Sequence, residues 1–121
     1  MITGVHTIIY STDAEADREA LGELLRGQRT VDAGEGWLIA ALPPAEVAVH
    51  PTDGPAQHEL YFLCDDIEST VADLTARGLT VDGGISDRGW GLLTTIRLPS
   101  GAAIGLYQPR HPVAATAPRP N

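Results

Sequence analysis

The chain has 121 residues, 43% of them apolar and 20% charged, which excludes both a disordered polymer and a lipid-embedded one and suits a single compact core. Eight Lys and Arg stand against sixteen Asp and Glu, a formal net charge of -8, which repels a phosphate backbone and an anionic bilayer alike and so argues against nucleic acid and membrane as partners. No apolar run is long enough to cross a bilayer, no basic flank precedes a hydrophobic stretch at the N-terminus, and Cys64 is the only cysteine; the expectation is a cytoplasmic protein with no intrachain disulfide and no multi-cysteine zinc site.

Residues 4–10 (GVHTIIY) are rich in β-branched side chains and run into Ser11-Thr12-Asp13, which predicts a strand leading to a helix N-cap. In residues 14–26, Leu24 and Leu25 follow Leu21 at three and four positions, and Asp13, Glu15 and Asp17 occupy the first turn, where the helix dipole favours carboxylates. That spacing predicts a helix packed on one face. Strands are expected at 28–32, 36–42 and 46–50, separated by Gly- or Pro-containing turns. After a Pro- and Gly-rich segment, residues 58–64 (HELYFLC) predict another strand, in which Cys64 is a small core residue. Asp65-Asp66 then opens a second helix with Ile67, Val71 and Leu74 as its apolar stripe and Arg77-Gly78 as its end. Further strands are expected at 79–82, 91–98 and 103–108, with Gly83-Gly84 and Gly101 as turns, and residues 112–121 (PVAATAPRPN) read as a mobile tail.

Both halves therefore read βαβββ, and they also align by residue: His6 with His58, Asp13 with Asp65, Gly36-Trp37 with Gly89-Trp90, Leu42-Pro43 with Leu98-Pro99, and Pro51 with Pro109. The expected fold is α+β: two tandem βαβββ modules forming paired curved mixed sheets around a cleft, because each unit alone leaves one sheet face and its edges uncovered. Residues 1–111 form the domain, with module one at 1–51, a linker at 52–57, module two at 58–111 and the tail beyond.

Over residues 2–111 these modules resemble the vicinal oxygen chelate superfamily, the fold shared by glyoxalase I, bleomycin-resistance proteins and extradiol dioxygenases. Three stretches carry the likeness: GVHTIIYSTDAEADREAL, QHELYFLCDDIESTVADLTARG and WGLLTTIRLPSGAAIGLYQPRHP. The resemblance implies a metal site drawn from the first and last strands of each module, with His6 and His58 at the two first-strand positions. The last strand of module two, where such proteins usually carry Glu before a Leu-Tyr pair, reads Ile104-Gly105-Leu106-Tyr107, and the matching residue of module one is Val47. The carboxylate is missing from both, and two neutral imidazoles leave a divalent charge uncompensated.

Tyr10 shares the face of His6 by strand parity, Phe62 that of His58, and Tyr107 that of Gly105, whereas Tyr61 points the other way. The expected ligand pocket is therefore His6, Tyr10, His58, Phe62, Trp90 and Tyr107, with Trp37 and Trp90 at equivalent places in the repeat, and rings of this kind serve equally as pocket walls or as core. Two functions follow. One is a bleomycin-resistance-like protein that binds a small organic molecule in the cleft without the complete metal site. The other is a divalent-metal-dependent lyase, isomerase or dioxygenase using His6 and His58, its ligand shell completed by a loop carboxylate or by substrate. The cofactor is accordingly none or one divalent metal ion, no catalytic residue is assigned, and a homodimer is expected to cover the open edges.

Overall fold

The computed structural model describes residues 6–34, 38–46, 48–49 and 51–115. The chain runs α1 (Ala14–Leu24), β1 (Thr30–Asp32), β2 (Leu38–Ala40), β3 (Tyr61–Leu63), α2 (Ile67–Ala76), β4 (Thr80–Asp87), β5 (Gly91–Arg97) and β6 (Ala103–Pro109). The larger sheet has the order β3-β6-β5-β4. β3 lies parallel to β6, and the other pairs are antiparallel. This is the βαβββ unit expected for module two, with the last strand beside the first.

Alternation along the strands sorts the sheet into two faces. Ile96 and Ile104 are fully buried on one face together with Ile67 of α2, and Leu74, Leu79, Leu98 and Leu106 complete that core. Burial of each such side chain contributes about 1.5–3 kcal/mol, so this face holds the sheet to its helix. Asp66 caps α2 by accepting from the Ser69 N–H at 3.2 Å, and the Ile67 N–H donates to the Gln108 side chain at 3.0 Å. At the other end Gly78 takes φ +86, the Gly78 N–H donates to Thr75 and the Leu79 N–H to Leu74, which is a Schellman stop with its apolar contact between Leu74 and Leu79.

Helix α1 leans on this same core through Ala20, Leu21 and Leu24. Two polar ties lock it there. Arg77, at the end of α2, donates to the Glu23 carbonyl at 2.6 Å and to the Asp73 carboxylate at 2.7 Å. Asp17, only 3% exposed, accepts from the Ser100 backbone N–H at 2.9 Å and from its hydroxyl at 2.6 Å, in the turn between β5 and β6. The sequence places Asp17 in the first turn of α1, and the fold uses it there to join α1 to the sheet.

Several expectations are revised. Residues 6–10 and the described part of 46–50 form no strand, while residues 4–5, Val47 and His50 lie outside the described residues. A β-branched run pairs only where a neighbouring strand offers its backbone, and here none does among the described residues. The expected strands at 28–32 and 36–42 shrink to β1 and β2, a ribbon whose residues are all exposed, and the Gly36-Trp37 pair lies outside the described residues. Gly83-Gly84 is no turn: β4 continues through it to Asp87, with Gly83 at φ +74 in the register shift between Asp82 and Ser86. Of the expected tail, residues 112–115 are described, and the Ala115 N–H donates to the Glu46 carboxylate at 2.9 Å; residues 116–121 lie outside.

The Asp17 tie should register in acid. Burial raises its pKa, but the Ser100 hydroxyl and N–H, with Ser11, outweigh that and hold the carboxyl below its usual range. A depressed folded-state pKa adds stability above the unfolded value, near pH 4, that is lost as pH falls through the folded one. Asp17→Asn should cost about 2 kcal/mol at neutral pH. In urea unfolding followed from about pH 6 to about pH 3, the gap between wild type and variant should close in the acid range; a gap that does not change with pH would remove the carboxylate from this role.

Candidate functional site

The face of the larger sheet turned away from the helices carries Tyr61 and Leu63 on β3, Gly105 and Tyr107 on β6, and Leu93 and Thr95 on β5, as the registers require. Tyr61 stands edge-on to Tyr107 with ring centroids 5.8 Å apart and planes at 89°, and Trp90 meets Tyr107 in the same manner at 5.4 Å and 86°. Such T-shaped contacts bring a positive ring edge to a negative ring face. Trp90 is fixed by its turn: the Arg110 N–H donates to the Trp90 carbonyl at 2.9 Å, and the Arg110 guanidinium pairs with Asp87 at 2.7 Å. That hydrogen bond, with one from the Gly89 N–H, holds the Asp87 carboxyl below its usual range.

Two glycines make room for the two tyrosines. A Cβ at Gly105 would lie 3.0 Å from Cγ of Tyr61 and closer still to the ring edge, and a Cβ at Gly91 would lie 2.8 Å from the Gln108 carbonyl and 3.1 Å from the Tyr107 ring. Tyr61 therefore occupies the space a side chain at position 105 would need. Its hydroxyl donates to the Glu59 carboxylate, and that bond, with burial, pushes the phenol up to about 12. Burial, with the Glu46 carboxylate, raises Tyr107 as well. The Tyr107 hydroxyl lies 2.8 Å from Nε2 of His111, whose Nδ1 is 2.9 Å from the Pro112 carbonyl. In the neutral ring the carbonyl fixes the proton on Nδ1, and Tyr107 then donates to Nε2.

Of the six pocket residues expected from sequence, Trp90 and Tyr107 come together here. Phe62 packs on the opposite face, against the helix-covered core. His6, Tyr10 and His58 are exposed, and Tyr10, 89% accessible, stands apart from the cluster. Tyr61, Glu59 and His111 were missed. The signal for the first two was the helix caps: Asp13 and Asp66 are the N-caps, 53 positions apart, the same offset as Gly36-Trp37 to Gly89-Trp90. That offset pairs His6 with Glu59 rather than His58 and shifts the parity of the whole strand. Cys64 packs against the core as expected, and burial pushes its thiol up.

The residues present do not fit the metal site implied by the resemblance. Position 105 has no side chain and no room for one, and among the described residues no group of three or more His, Cys, Asp and Glu is gathered to hold an ion. Two surface grooves of about 440 Å³ lie elsewhere, one between Ala20, Leu79 and Pro99, the other beside Leu63, Pro109 and Val113 at the margin of the aromatic face. Among the described residues no helix is long and apolar enough to cross a membrane.

No family model and no curated sequence matches the chain. Among solved structures, TnmS3, an antibiotic binding protein from Streptomyces sp. CB03234, is 26% identical with a TM-score of 0.59 over 89% of this chain and 99% of its own. A glyoxalase/bleomycin resistance protein from the same strain is 29% identical with a TM-score of 0.54 over 81% and 93%. A glyoxalase/bleomycin resistance protein/dioxygenase superfamily member from Sphaerobacter thermophilus, 23% identical, shares the fold with a TM-score of 0.56 over 88% and 98%. The chain shares the α+β fold of the glyoxalase/bleomycin resistance proteins; among the described residues the second half forms a complete βαβββ unit, and the first contributes α1, β1 and β2.

The two glycines should respond differently to a methyl group. Gly91→Ala meets backbone and should cost about 2–3 kcal/mol, whereas Gly105→Ala meets a ring that can swing away and should cost about 1 kcal/mol. Tyr61→Ala should erase the penalty at 105 and leave that at 91 untouched. Thermal unfolding of the two double variants measures both couplings, and additive costs at 105 would disprove the ring contact.

Proposed function

We propose that the chain is a ligand-binding protein of the bleomycin-resistance kind, which holds a small planar organic molecule against the Trp90–Tyr107–Tyr61 face and catalyses no metal-dependent reaction. The observation that carries this reading is the run of two edge-to-face ring contacts on a sheet face that no helix covers among the described residues. A wall of rings with a few polar groups at its rim is the composition of a small-molecule site. The likeness to a protein described as antibiotic binding supports the same reading.

The binding unit is a homodimer. β1 and β2 form a two-stranded ribbon with Val31, Leu38 and Ile39 exposed, and a ribbon of that size is marginal by itself. A second copy related by a two-fold axis covers such edges and encloses the aromatic face.

In a Trp37→Phe background, titration with 2-naphthol should quench Trp90 fluorescence saturably, and Tyr107→Ala should weaken binding by about fivefold to tenfold, the value of one aromatic contact. Absence of saturable quenching would overturn the binding reading. Light scattering should return twice the chain mass, and a monomeric mass at every concentration would overturn the dimer.

A further inference from the structure

Resting on the binding reading above, we infer that the Tyr61–Glu59 dyad is the polar recognition element of the aromatic face and that it selects ligands carrying a hydrogen-bond donor, such as a phenol or an aromatic amine, at the ring edge. Tyr61 fills the volume above Gly105, so the face meets its ligand with a ring and a hydroxyl where a metal-binding relative would present a carboxylate. The hydroxyl proton is already committed to Glu59. What remains outward is acceptor capacity alone: the lone pairs of the phenol oxygen and the remaining lone pairs of an exposed carboxylate.

The surroundings reinforce that polarity. Glu46 lies close enough to Tyr107 to raise its phenol, and the Tyr107 hydroxyl proton is taken by His111. Both tyrosines thus turn acceptors toward a ligand lying across the rings, on a chain that is already acidic overall. A ligand that offers only ether or carbonyl oxygens at this edge finds no donor from either dyad and leaves the carboxylate desolvated, a penalty its donor-bearing counterpart avoids.

The test compares two probes of equal shape, 2-naphthol and 2-methoxynaphthalene, on the full-length protein by Trp90 quenching in the Trp37→Phe background. Wild-type side chains at 59 and 61 should favour the naphthol by about tenfold, as for a hydrogen bond to a charged acceptor. Glu59→Ala, at an exposed position, frees the Tyr61 proton to serve the ether oxygen and should bring the two affinities within about twofold of each other. Equal affinity of both probes for the unaltered dyad would overturn the inference while leaving the binding reading in place. Failure of both probes to bind would overturn both. A preference unchanged in Glu59→Ala would show that the selection lies elsewhere and would also overturn it.

Discussion

A three-residue strand decides what this protein presents to its surroundings. β3 pairs in parallel with β6 so that Tyr61 lies beside Gly105, Phe62 beside Leu106 and Leu63 beside Tyr107. Once that register is set, the two-residue period of a strand sends Phe62 to the helices and Tyr61 to the open face. A slip of one residue would exchange them, placing a phenol among Ile67, Ile96 and Ile104 with no partner for its hydroxyl, at about 1–3 kcal/mol for the unpaired group. Gln108 guards against the slip, because its side chain accepts from the first N–H of α2 and ties the end of β6 to the helix that follows β3.

The elements with strong local punctuation were legible from sequence. α2 has its Asp cap, its apolar stripe at four- and three-residue spacing and its Gly stop, and each is where the pattern put it. β5 and β6 were legible because both are strand-like runs bounded by Gly- or Pro-containing turns, and both place their even-numbered residues Ile96, Ile104 and Leu106 in the core. The site was less legible. Two adjacent acids at 65 and 66 are equally good caps on paper, and choosing Asp65 moves the first-strand equivalence from Glu59 to His58; a single residue then inverts which of Tyr61 and Phe62 lies on the open face of the sheet. His111 was overlooked because it borders a segment read as tail, and Asp17 because composition cannot distinguish a first-turn carboxylate that faces water from one that meets a turn 83 residues away.

Charge in this chain works locally more than globally. Of eight cations, Arg26, Arg77, Arg97 and Arg110 are each paired with a carboxylate, and most of these pairs are exposed and contribute little by themselves. Arg77 differs because it is half-buried and also reaches a helix carbonyl, where a cation meets the negative end of the α1 dipole. The two helices are joined at that point, and α1 is joined to the sheet at Asp17. The module-one helix is thereby held to module two while β1 and β2 remain solvent-exposed on their own.

A fold shared with glyoxalase/bleomycin resistance proteins leaves the chemistry to individual positions. Position 105 is the most informative of them. Were it merely a position without a metal ligand, glycine would be one choice among many small residues, and a single substitution would introduce a carboxylate there. The Tyr61 ring removes that freedom, since any side chain at 105 displaces the ring from Tyr107 and the hydroxyl from Glu59. Gly105, Tyr61, Glu59 and Tyr107 are thus one interlocked unit. Its product is an edge-to-face aromatic cluster whose Tyr61 hydroxyl is bonded to Glu59, and the proposed recognition of an intact molecule rests on that cluster.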